Sequence, residues 1–143
     1  MIMEDENQNR ELGAGKIKQP DESSSKIETI LVVDDEELIL ILTESFLEQL
    51  GYGVLLAGCG EDAVEIFKEH HTRIQLVLSD ITMPGIDGIE TVTRLRRIKP
   101  DLKAIISSGY SSERIDDLPR GAVFLAKPYS INDLRAALDK LSS

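Results

Sequence analysis

Four short segments, far apart in the chain, each close an apolar run with side chains that handle charge. They are Val33-Asp34-Asp35, Leu78-Ser79-Asp80, Ile106-Ser107-Ser108 and Leu125-Ala126-Lys127. Three carboxylates, a hydroxyl and an ammonium would meet if these runs were neighbouring strands that end on one edge of a sheet. Magnesium takes oxygen ligands and needs only one or two direct carboxylates, the rest being water or carbonyl. Three aspartates crowded together raise at least one carboxyl pKa unless a cation offsets the repulsion. An aspartate is also a nucleophile toward phosphorus, giving an acyl phosphate. Such transfer depends on in-line positioning and charge neutralisation. Lys127 suits the neutralising task, and Ser108 suits donation to a phosphoryl oxygen. Taken singly, each residue has an ordinary reading: Asp34-Asp35 as a turn and helix cap, Lys127-Pro128 as loop. Their joint placement carries the signal.

The elements that would position these residues follow from the pattern of the chain. Ile30-Leu31-Val32-Val33 is a continuous apolar run of strand length, as in a strand buried on both faces. Strands are also predicted over Tyr52 to Ala57, Ile74 to Ser79, Lys103 to Ser107 and Ala122 to Ala126. Helices are predicted over Glu36 to Leu50, Glu61 to His71, Gly88 to Lys99, Ser111 to Leu118 and Ser130 to Leu141. The first is ambiguous, because Leu38-Ile39-Leu40-Ile41-Leu42 has strand propensity; its length, acidic first turn and Gly51 stop favour helix. Pro100 closes the third. Strands alternating with helices imply a parallel sheet covered on both faces, and ligands of such sheets sit at the carboxyl ends of the strands. Asp34, Asp35, Asp80, Ser108 and Lys127 all fall at carboxyl ends. The pattern alone implies an α/β domain on a five-stranded parallel sheet, with right-handed crossovers limiting the topology to a few choices.

Residues 1–28 read differently. They hold Glu4-Asp5-Glu6, Pro20 and Ser23-Ser24-Ser25 with few large apolar residues, a composition that does not offset the entropy of ordering. A disordered tail or linker is expected there, with the domain at 29–143. The net charge of the chain is −10, which supplies no counterion-releasing surface for direct nucleic-acid binding. The single Cys59 excludes an internal disulfide. Adjacent His70 and His71 do not share a helix face, so they make no metal pair. No apolar run approaches a membrane span, and Met1 to Lys18 lacks a signal-peptide core. No membrane insertion is expected, and the cytoplasm is the expected location.

Residues from about 29 to 142 resemble the receiver domain of bacterial two-component response regulators. The matching stretches are Ile30 to Glu36 (ILVVDDE), Asp80 to Gly88 (DITMPGIDG), Ser107 to Tyr110 (SSGY) and Phe124 to Tyr129 (FLAKPY). The resemblance implies an α/β, flavodoxin-like (βα)5 three-layer sandwich with a five-stranded parallel sheet, and it implies roles. Asp80 would be the phosphoacceptor and Asp35 a direct Mg2+ ligand. Asp34 would reach the metal through water, and Thr82 would offer it a backbone carbonyl. Ser108 would follow the phosphoryl group, and Lys127 would pair with the acceptor, its bond to Pro128 being usually cis in such domains. Phe124 stands where a switch Tyr or Phe is found, and Thr82 and Tyr110 where the rate of phosphate loss is influenced. The donor would be a histidine kinase or histidine phosphotransfer protein. The downstream protein target would meet the face built by the fourth helix, fifth strand and fifth helix. Self-catalysed phosphorylation and dephosphorylation would be the only catalysis.

Other readings stand beside this one. A constitutive adaptor with the same fold would bind its partner whatever the state of Asp80. A haloacid-dehalogenase-like phosphatase would want a second Asp two residues after the nucleophile, where this chain has Thr82. Nucleotide binding lacks its phosphate loop, since Gly58-Cys59-Gly60 has neither the length nor the Lys. No output domain follows within the 143 residues, which leaves a stand-alone receiver or a module of a larger protein. The SSGY and FLAKPY stretches resemble receivers attached to hybrid sensor kinases.

Overall fold

The computed structural model describes residues 26–109 and 115–142. Strand β1 (Thr29–Val33) is flanked by β2 (Gly53–Ala57) and β3 (Leu76–Asp80), and β4 (Lys103–Ser108) and β5 (Val123–Ala126) extend the sheet in the order β2-β1-β3-β4-β5. Every neighbouring pair is parallel. This is the flavodoxin-like order, and its reversal lies between β1 and β3.

Side chains alternate across the sheet as the strand period requires. Leu31, Val33, Val77, Ala104 and Ile106 face one way and pack on Ala63 and Phe67 of helix α2 (Gly60–His70) and on Val92 and Leu95 of α3 (Gly88–Ile98). Ile30, Val32, Leu76, Leu78 and Ile105 face the other way. They pack on Leu47 of α1 (Glu37–Gln49) and on Leu134, Ala137 and Leu138 of α4 (Ile131–Ser142). Each central strand is thus apolar on both faces because helices cover both. That resolves the ambiguity of residues 38–42, which are helical: their next turn supplies the buried Thr43 and Leu47 to the core.

The observed bounds differ from the expected ones where backbone hydrogen bonds decide them. Gly51 adopts φ +98°, its N–H donating to the Glu48 carbonyl at 3.0 Å and that of Tyr52 to the Leu47 carbonyl at 3.0 Å. These two bonds close α1 in a Schellman arrangement. Tyr52 thereby belongs to the helix cap, and β2 begins at Gly53. β3 starts at Leu76 because His71–Arg73 forms a 3-10 turn first. The side-chain Oε1 of Gln75 then accepts the backbone N–H groups of Glu28 (2.8 Å) and Thr29 (3.0 Å). The helix expected over 111–118 falls partly outside the described residues; the part described holds a 3-10 turn, Ile115–Asp117. Pro119 disfavours helical dihedrals at Leu118, which limits any continuation. Residues 1–25 of the expected tail also lie outside. Ile27 is buried and joins the core under α1 and α4.

Candidate functional site

The strand ends carry the expected residues to one edge. Hydrogen bonding continues just past the strands: the Asp34 N–H donates to the Ala57 carbonyl (3.1 Å), the Ile81 N–H to Ser107 (2.8 Å) and the Lys127 N–H to Ser108 (2.9 Å). These bonds fix the backbone of Asp34, Asp80 and Lys127 to the sheet. One oxygen from each of Asp34, Asp35 and Asp80 lies within 4.8 Å of the others. Lys127 Nζ approaches Asp34 Oδ2 at 2.8 Å and Asp80 Oδ2 at 3.4 Å. A depression of about 400 Å3 opens here, lined by Asp35, Glu36, Asp80, Thr82, Ser108, Gly109 and Lys127.

The three carboxylates differ in their surroundings. Asp34 is buried, and both its oxygens are engaged, Oδ1 accepting the Glu36 N–H at 2.9 Å and Oδ2 facing Lys127. Asp35 is exposed at the mouth. Asp80 is buried like Asp34, and burial is the main cause that raises its pKa from 3.8 to about 6. The charges of Asp34 and Asp35 push the same way, and Lys127 pulls back. For Lys127 itself, burial acts to lower the ammonium pKa, but contacts with Asp34 and Asp80 outweigh it and leave a net rise. The cluster therefore carries more negative than positive charge in a partly dry setting. Hard oxygen donors with one exposed carboxylate suit a hydrated divalent cation.

The loop after β3 is held from outside the sheet. Gly88 is packed so closely that a Cβ would collide with the Asp80 carbonyl oxygen and lie 2.9 Å from Ile81 Cα. The Gly88 N–H donates to the Ile81 carbonyl at 2.8 Å, and Asp87 caps α3 through the Glu90 N–H. On the far side, Glu61 Oε2 accepts the Ile86 N–H at 3.2 Å and lies against Gly85, whose φ is +81°. Hydrogen bonds from its own amide and from Ile86 hold the Glu61 carboxyl below its usual pKa. Thr82 is thus carried on a loop pinned at both ends.

Residues 30–139 match the family described as the response regulator receiver domain. The chain belongs to that family. Receiver domains are the signalling modules of two-component systems. This receiver is 35% identical over 135 residues to the autoinducer 1 sensor kinase/phosphatase LuxN of Vibrio campbellii. The match covers 92% of this chain but only 15% of that protein. It is 35% identical over 115 residues to the response regulator receiver protein CpdR of Brucella abortus, covering 78% of this chain and 93% of the relative. Among solved structures it is similar to the response regulator TrrA of Thermotoga maritima in complex with Mg(2+)-BeF. That match has a TM-score of 0.72 and 35% identity, over 80% of this chain and 99% of the other. No helix among the described residues is long and apolar enough to cross a membrane.

Of the residues singled out from sequence, the receiver brings Asp34, Asp35, Asp80, Thr82, Ser108 and Lys127 to one place. The Lys127–Pro128 bond is cis. Phe124 is not in this group; it lines a separate groove of about 300 Å3 between β5 and α4, with Pro128, Ala136 and Lys140. Tyr110 lies outside the described residues. Sequence reasoning did not find Glu36 at the rim, Glu61 behind the loop, or the hydroxyl contact between Thr43 and Tyr129 at 2.7 Å. The last joins residues 86 positions apart, and no spacing rule announces such a pair.

Proposed function

We propose that this receiver is the phosphoacceptor switch of a two-component phosphorelay, with Asp80 taking a phosphoryl group from a phosphohistidine. The donor is a histidine kinase or a histidine phosphotransfer protein. The observation that carries the reading is Lys127 Nζ set between Asp34 and Asp80 at the head of a three-carboxylate cluster. An Asp80 carboxylate oxygen attacks phosphorus, the P–N bond to the donor imidazole breaks, and the imidazole leaves with the electron pair and is protonated. Lys127 neutralises charge on the transferred group, and Ser108 donates a hydrogen bond to it. Asp35, Asp80 and the Thr82 carbonyl would hold Mg2+, with Asp34 reaching it through water, as its two engaged oxygens favour. Bound there, Mg2+ would supply charge neutralisation for the transferred group.

The mouth of the pocket adjoins the first two turns of α1, where Leu38 is 80% exposed, Ile41 53% and Leu42 46%. These three sit at i, i+3 and i+4 and form one apolar stripe. A donor helix carrying the phosphohistidine would seat on that stripe. The downstream target would meet the face built by the fourth expected helix, fifth strand and fifth expected helix, of which the described part is β5 and α4. Phe124, in the groove there, would respond by repacking, because it has no hydroxyl with which to form a new bond. The receiver domain would occupy 29–143 with Ile27 packed into its core, so the tail or linker expected over 1–28 would end before that residue, and the location would be cytoplasmic. No turnover beyond self-phosphorylation and dephosphorylation is expected. The test is incubation with acetyl phosphate and Mg2+, followed by intact-mass measurement. One phosphoryl group should be added, and Asp80→Asn should take none; undiminished labelling of that variant would refute the assignment.

A further inference from the structure

Thr43 is completely buried in the middle of α1. A buried helical threonine commonly returns its hydroxyl to the carbonyl four residues earlier. Thr91 and Thr93 of α3 do this, donating to Asp87 O at 2.7 Å and Ile89 O at 2.9 Å. Thr43 instead has its Oγ1 2.7 Å from the hydroxyl of Tyr129. Tyr129 stands two residues beyond Lys127, on the connection into α4, and its ring packs into the core between α1 and α4. Burial raises the pKa of the phenol, so it is a neutral hydroxyl at any working pH. Neither oxygen lines the pocket.

The connection from Lys127 to α4 is fixed at few points. Behind it, the Lys127 N–H is bonded to Ser108. Ahead, Ser130 and Asp133 cap α4 reciprocally, Ser130 N–H to Asp133 Oδ2 at 2.9 Å and Asp133 N–H to Ser130 Oγ at 3.0 Å. Between them lies Pro128, which has no N–H to offer. The Tyr129 hydroxyl supplies the attachment in this gap, and it reaches α1, the helix that begins just after Asp34 and Asp35. Lys127 Nζ has contacts of 2.8 and 3.4 Å with carboxylates at the ends of two different strands, just past β1 and at the last residue of β3. A small shift of its loop would trade one contact for the other.

We propose that the Thr43–Tyr129 hydroxyl pair is a positioning device for Lys127, tying the loop that bears it to the helix that follows Asp34 and Asp35. Its consequence for phosphoryl transfer rests on the function proposed above; its effect on the placement of the ammonium does not. The test uses Tyr129→Phe, Thr43→Val and the double variant. Each single change leaves one buried hydroxyl without its partner and should lower stability. The double change replaces both by apolar groups of similar shape and should recover most of that loss. Stability and position therefore separate in the double variant. The Lys127 side-chain NMR resonances (13Cε and 15Nζ, metal-free protein) should stay displaced from wild type in all three. The single-turnover rate with acetyl phosphate at saturating Mg2+ should stay about 3- to 10-fold reduced in all three, as for a misplaced neutralising group. A double variant with wild-type Lys127 resonances, or with a wild-type rate despite shifted resonances, would overturn the proposal. If wild-type protein takes up no phosphoryl group, the proposed function fails, and the Lys127 resonances alone still decide this inference.

Discussion

Replacing Asp80 by Asn should make the metal-free protein more stable, and the size of the gain can be worked from the site. The folded-state pKa of Asp80 is raised from 3.8 to about 6. That is about two units, net of the attraction of Lys127. At 1.36 kcal/mol per unit, the ionised carboxylate costs the fold roughly 3 kcal/mol, a ceiling that relaxation lowers to about 1–3 kcal/mol. Asn keeps the shape and removes the charge. Because the folded state holds the Asp80 proton more tightly than the unfolded state, wild-type protein regains stability as pH falls through 6 toward 3.8. The advantage of the variant should therefore be full above about pH 7, shrink through pH 6 and vanish near pH 4. Urea unfolding of both proteins in EDTA, at several pH values, measures it; the titrations the two proteins share cancel in the difference. Mg2+ should then favour wild type, since a ligand of the folded state at 100 times its Kd adds about 2.7 kcal/mol. An Asp80→Asn protein that is no more stable than wild type at pH 7.5 in EDTA, or whose advantage ignores pH, would refute the claim that burial and like charge act on this carboxyl.

Three further perturbations probe other parts of the site. Lys127→Met strands Asp34 and Asp80 without their cation; it should destabilise the apo protein by roughly 3 kcal/mol, with partial rescue by Mg2+, seen in urea midpoints with and without the metal. Gly88→Ala drives a methyl group into the Asp80 carbonyl and toward the Ile81 backbone; a loss of about 2 kcal/mol or more is expected in thermal unfolding, with slower labelling by acetyl phosphate. Leu38→Asp, on the exposed stripe of α1, should leave labelling by acetyl phosphate unchanged and slow transfer from a phosphohistidine protein at least several-fold, as followed by radiolabel transfer; equal slowing of both would place Leu38 in the reaction site and not in the docking surface.

The parts of this receiver legible in its sequence are those dictated by period and position along a strand. Asp34, Asp80, Ser108 and Lys127 were found because each ends an apolar run, and parallel sheets deliver strand ends to one edge. The shifts were small where local hydrogen bonding, invisible to periodicity, sets the limit: Tyr52 is taken by the Schellman closure of α1, and the start of β3 is delayed by the 3-10 turn His71–Arg73. Phe124 matched a motif position, but its place beside α4 depends on which face of the edge strand β5 meets that helix. Glu61 and Thr43 were missed because their partners, Ile86 and Tyr129, are distant in sequence, and an exposed helical Glu or a lone Thr in an apolar run has many ordinary readings.

The physical economy of the site follows from the same features. A nucleophile for phosphorus must be an available anion, yet the strand end that positions Asp80 also buries it and sets it near two more carboxylates. Lys127 alone does not balance three negative charges, and Asp34 takes the shorter of its two contacts. Asp80 is thereby left with an incompletely satisfied charge. Any group that brings positive charge to the pocket relieves the same strain that raises its pKa, so cation affinity and fold stability are linked through one carboxylate. Phosphorylation would replace that carboxylate by a larger, more anionic group at the same point, and the elements able to answer it are the ones that line the same pocket: the Lys127 loop, Ser108 at the end of β4, and the Thr82 loop. Of these, the Thr82 loop is pinned by Gly88 and Glu61, whereas among the described residues the Lys127 loop is held at its centre by the Thr43–Tyr129 hydroxyl pair and the packing of the Tyr129 ring. A response to the added charge should therefore travel along β4 and β5 toward α4 sooner than through α3, an order that backbone amide exchange before and after beryllofluoride binding would reveal.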